Sequence, residues 1–177
     1  MQDDDDLALP HMIRTYMNVA SRTSADLLSD ISDNYDVKDG LMRHSHRSLA
    51  VGNTFAHNFF VNNFGKANFC VRPSAALAIG GHHTNEYGNS PYVDWGFLTR
   101  ASLHRLRMEL VPLVLYKYAK HSKGSIWYGR TSLVDKYNGH YKMLADAMEY
   151  VPEEMRDILL FCRYHHGLPQ IAADGRM

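Results

Sequence analysis

Cysteine is scarce: Cys70 and Cys162 are the only two in 177 residues, and they lie far apart. That excludes a disulfide framework and the closely spaced thiols of structural zinc sites. Both read instead as small buried hydrophobes. Long apolar runs are also missing. None approaches the ~20 residues that a membrane-spanning helix needs. The start, MQDDDD, is the reverse of a signal peptide's positive leader. No membrane partner is expected, and the expected location is the cytoplasm or a particle assembled there. Glutamate (5 residues) and lysine (7) are few beside 12 arginines. A free monomer usually covers itself with Lys and Glu, whereas interfaces are depleted in them. Also lacking are H-E-x-x-H, C-x-x-C, the calcium-loop spacing, G-x-x-x-x-G-K and G-x-S-x-G, so no motif names a reaction.

What is present is aromatic and unevenly charged. There are 11 Tyr, 7 Phe, 2 Trp and 9 Met. Together with the arginines, these are the residue types that protein interfaces enrich. The formal charge is zero, but residues 1–40 hold nine acids against three Lys or Arg. Residues 41–130 hold eleven basic groups against three acids, and residues 131–177 hold five against seven. An acidic arm over residues 1–9 would therefore precede a basic body. Apolar content of 45% and charged content of 21% suit one soluble globular domain over residues 10–177.

The expected fold class is α+β, predominantly α-helical. A long N-terminal amphipathic helix is expected over residues 10–32. There Ile13, Met17, Ala20, Ser24, Leu27 and Ile31 step by four and three. Residues 32–48, with Asp33, Asn34, Asp36, Asp39 and Gly40, read as a loop of turn formers. The middle is irregular or short-stranded. Residues 53–64 read as a helix or, through Phe55, His57, Phe59 and Val61, as a strand, and residues 67–72 read as extended. A second helix is expected from a cap at Thr99 or Ser102 through Leu103, Leu106, Leu110, Leu113 and Val114, kinked by Pro112. A C-terminal helical hairpin turns at Val151–Pro152, where proline, then Glu153 and Glu154, mark a helix start.

Eleven histidines give three clusters: His44 with His46, His82 with His83, and His165 with His166. On a strand, H-x-H puts both rings on one side. No cofactor is expected; His44, His46, His82 and His83 are the metal-ligand candidates, and a divalent ion is the one cofactor they could hold. His46-Arg47-Ser48 and His82-His83-Thr84 each set a hydroxyl two residues after a histidine. At these residues alone the chain resembles two-histidine phosphodiesterases. That resemblance implies His46 and His82 as acid and base, with Ser48 and Thr84 holding phosphate. The basic, aromatic run 116–130 offers Lys117, Lys120, Lys123, Trp127, Tyr128 and Arg130. Its cations could neutralise phosphates while its rings stack on bases. The same enrichment equally marks a protein interface. Composition favours a non-enzymatic subunit of a larger assembly, a homo-oligomer or a virion-like particle. A His-dependent phosphodiesterase or nuclease and a nucleic-acid-binding module are the alternatives.

Overall fold

The computed structural model describes residues 6–51, 62–64, 68–82, 93–121, 139, 142–145, 147–158 and 160–161. Among them 36% are helical and 35% are in strands, and the strands form one mixed five-stranded sheet. The expectation of a predominantly helical protein is therefore overturned. The elements in chain order are β1 (Leu7–Ala8), α1 (Met12–Ala20), β2 (Leu27–Lys38), β3 (Leu41–Ser48), β4 (Phe69–Val71), α2 (Pro73–Ala78), α3 (Val93–Leu103) and β5 (Met108–His121). A 3-10 turn follows at Glu153–Met155.

The long N-terminal helix ends at Ala20. The chain then turns and enters β2, the central strand. One edge of β2 pairs in parallel with β5. Its other edge pairs antiparallel with β4 over Leu27–Ser29 and with β3 over Ser32–Lys38. Residues 32–48 are thus a β-hairpin rather than a loop. Its turn is Asp39–Gly40, with both residues at positive φ (51° and 77°). That conformation matches the twist of the flanking strands and favours an Asp-Gly pair.

The second expected helix is also a strand over most of its length. Helix α3 ends at Leu103, and Met108–His121 is β5. Thr99 and Ser102 do not cap a helix start; both lie inside α3 and are buried. Pro112 marks an irregularity rather than a helix kink. Asp30 pairs with Val111, Ile31 with Val114 and Ser32 with Tyr116, so Pro112, Leu113 and Leu115 have no partner on β2. A residue without an N–H is tolerated at such a bulge.

Two apolar clusters sit on opposite faces of β2. Successive residues of a strand point to opposite sides, and Leu28 packs with Met12, Tyr16, Val111, Leu115 and Tyr116 under α1. Leu27 packs with Phe69, Ile79, Trp95, Phe97, Leu98 and Met143. Helix α3 is buried all along Trp95–Ser102, as expected of a helix with no polar face. Helix α1 turns a different stripe inward from the one its sequence spacing suggests. Met12 and Tyr16 are buried, while Ile13 and Met17 are 66% and 61% exposed. The expected extended segment is present as β4. Near the C-terminus, helical residues lie on both sides of the break at Val151–Pro152. No helix among the described residues is long and apolar enough to cross a membrane.

Candidate functional site

The β2–β3 hairpin carries three of the sequence-derived candidates, His44, His46 and Ser48. It is held by its two-residue turn and by β2, but β3 itself is open. Every residue from Leu41 to Arg47 is exposed. A bulge between Asn34 and Tyr35 makes His44 pair with Tyr35 and His46 with Asn34. Neighbouring residues on β2 face opposite ways, so the bulge sends the two imidazoles to opposite faces of the sheet. The expectation that both rings of this H-x-H unit share one side is corrected by that single extra residue, Ser45.

On one face Asp33 organises the cluster. Arg47 donates to it twice, from Nε to Oδ1 at 2.7 Å and from Nη2 to Oδ2 at 3.1 Å. His44 Nε2 lies 3.5 Å from Oδ1. The Arg47 hydrogen bonds, followed by the charge of Arg47 and the contact with His44, hold the Asp33 carboxyl below the usual carboxylate range. The His44 and Tyr35 rings meet edge to face, with centres 5.4 Å apart and planes at 77°, and Lys117 Nζ sits 5.3 Å above the Tyr35 ring. On the other face Asn34, fully buried, donates to Ser48 Oγ at 2.9 Å, and Ser45 Oγ donates to the Asn34 carbonyl at 3.2 Å. His46 Nδ1 is 3.3 Å from Ser45 Oγ. Ser48 thus serves the buried amide rather than a histidine base.

Because Asp33 is depressed by Arg47, Arg47→Ala is expected to raise the Asp33 pKa toward its ordinary value. The stabilisation involved is present at neutral pH and is lost as pH falls through the folded-state pKa. The pair is exposed and screened by solvent, so the accompanying stability change should be small. An NMR titration of the Asp33 carboxyl measures the shift, and an unchanged titration curve would exclude the Arg47 fork as its cause.

His82 lies elsewhere, just before α3. Its Nε2 is 3.3 Å from Asp94 Oδ1, within ion-pair distance but without hydrogen-bond alignment. Its ring rests 5.5 Å from Phe97. Beside it Arg100 Nη2, from a buried guanidinium, donates to the Gly81 carbonyl at 2.7 Å. His83, Thr84, Lys123, Trp127, Tyr128 and Arg130 lie outside the described residues. Among the described residues, no three His, Cys, Asp or Glu side chains gather as metal ligands would. Lys117 pairs with Asp33 and Lys120 with Asp36. Asp33 and Asp36 point to opposite faces of β2, so these two lysines do not share a surface.

A second polar group was not anticipated. Asp30 is buried on the α1 face of β2, 3.4 Å from Asn68 Nδ2. Burial pushes its carboxyl up to about 7, and hydrogen bonding only partly offsets that. The Tyr16 hydroxyl lies near enough for Asp30 to raise its pKa further, after burial, yet it has no hydrogen-bond partner of good geometry. The Tyr116 hydroxyl, raised chiefly by burial, is bonded to Ser32. The available signal was an acid set between Leu28 and Ile31, which in the expected helix over residues 10–32 looks solvated. At the far edge of the sheet Asp6 Oδ1 accepts from the Ala119 amide at 3.0 Å, next to β1. Compared with known proteins, the chain matches no protein family, no curated protein and no solved structure.

Proposed function

We propose that this chain is a non-enzymatic subunit of a larger protein assembly, formed in the cytoplasm, and that strand β3 is one of its contact surfaces. The observation that carries this reading is the exposure of β3. Eight residues long, it pairs with β2 on one side only among the described residues. An open strand edge is a row of backbone donors and acceptors ready for a partner. Leu41, Met42, Leu49 and Val51 add exposed apolar area along it, and Ile13 and Met17 add a separate apolar ridge on α1. Arg43 discourages two copies of β3 from pairing with each other, since like charges would meet. It favours an acidic counterpart instead, whereas Arg47 is already bonded to Asp33. The chain carries one in Asp3, Asp4 and Asp5, so a neighbouring copy could supply it in a head-to-tail contact.

The parent protein is expected to be a stable oligomer at micromolar concentration by light scattering. Leu41→Lys with Met42→Lys should shift it toward monomer while changing stability by only about 0.5 kcal/mol, as is usual for exposed positions. Deleting residues 1–5, which spares the Asp6 bond to Ala119, should weaken association at low salt and matter little at high salt. A monodisperse parent of 20.2 kDa would remove the proposal.

A further inference from the structure

Helix α3 ends in a way that costs stability. Arg105 N donates to the Ser102 carbonyl and Leu106 N to the Ala101 carbonyl, both at 2.9 Å. This closure requires a left-handed residue just past the helix, where glycine is the usual choice. Arg105 fills it with φ at 58°. An L side chain there crowds its own backbone. The same turn lines an open concavity of about 430 Å³, bounded by Ser102, Arg105, Leu106, Arg107, Met108 and Glu109. Arg105 and Arg107 are exposed, and among the described residues neither guanidinium is paired with a carboxylate.

We infer that this concavity is a binding site for a phosphate monoester of a small organic molecule, held by Arg105 and Arg107. Two planar guanidiniums can each grip two phosphoryl oxygens, and the geometry suits phosphate better than a point cation would. Leu106 and Met108 supply apolar wall for the carbon part of the ligand. Glu109 repels an extended polyanion and can accept from a ligand hydroxyl, which sets the site apart from a nucleic-acid track. The left-handed arginine fits a pattern in which backbone strain is retained where a side chain is needed for binding. The inference does not depend on β3 or on assembly.

The test uses the full chain at low ionic strength, titrated with inorganic phosphate and with phenyl phosphate by calorimetry. The parent should bind both, phenyl phosphate more tightly, because only the ester can use the apolar wall. Arg105→Gly should weaken binding by about tenfold or more and yet raise Tm by roughly 2–4 °C, since glycine relieves the strained position. Arg107→Ala should also weaken binding while leaving Tm near the parent's. No saturable binding by the parent, or unchanged binding in Arg105→Gly, would overturn the site. A lower Tm in Arg105→Gly would overturn the argument that the arginine is held there against its backbone preference.

Discussion

At pH 8 the Asp30→Asn variant is expected to melt well above the parent, and near pH 4 the two are expected to melt together. Asp30 is buried and its carboxyl titrates at about 7 in the folded protein, against an ordinary 3.8. Between those values the folded chain holds a proton that the unfolded chain has released. Protonation therefore favours folding, and this contribution is fully present below pH 3.8. It is lost as pH rises through 7. The gap corresponds to roughly 4 kcal/mol, or on the order of 8–16 °C in Tm for a chain of this size. Asparagine has no ionised form, so the variant escapes the loss and keeps a polar group facing Asn68. Thermal melts of both proteins from pH 4 to 8 make the comparison. A constant difference across that range would mean that Asp30 is not buried under α1. Tyr16→Phe offers a companion measurement. It removes a hydroxyl that lacks a well-aligned partner but favours the ionised form of Asp30, so it should move the parent's loss of stability to higher pH.

Phe97→Ala is expected to cost about 3–5 kcal/mol. Phe97 is 2% exposed and stacks on Phe69 with ring centres 5.3 Å apart and planes 7° from parallel. Its removal opens a cavity where α3 meets β4, and the His82 ring loses the surface it rests against. Ring pairs add roughly 0.5–1.5 kcal/mol beyond the area they bury, so the upper half of the range is the better expectation. Total stabilities of 5–15 kcal/mol are usual, and the milder Phe97→Leu keeps the experiment readable if the alanine variant is largely unfolded. Urea melts should show a lower midpoint with an unchanged slope. A cost below 1 kcal/mol would show that α3 and β4 do not pack through this pair.

Local chemistry decided only some of the fold. Asp39–Gly40 is a turn because two adjacent left-handed residues suit Asp and Gly wherever they stand. Phe69–Val71 is extended and short because Pro73 and its neighbours bar continuation. The helical pattern breaks at Val151–Pro152 for the same kind of reason. Long-range pairing decided the rest. Ser29 and Asp30 read as the end of the N-terminal helix, and Ser32 and Asn34 as turn formers because each can bond its own backbone. They form a central strand because β5, some 80 residues later, supplies partners along nearly their whole length. Leu103, Leu106, Leu110 and Leu113 keep helical spacing, yet Leu110 and Leu113 stand exposed on β5. A period read from one segment cannot reveal a partner strand elsewhere in the chain. The candidate sites divide in the same way. The sequence determined which residues carry charge and imidazole. The tertiary structure decided that a bulge at Ser45 parts His44 from His46, that Asp30 is dry enough to titrate near neutrality, and that Arg105 stands where glycine would be cheaper. Each of these depends on what lies across the sheet or beneath the helix, and that is set by residues distant in the chain.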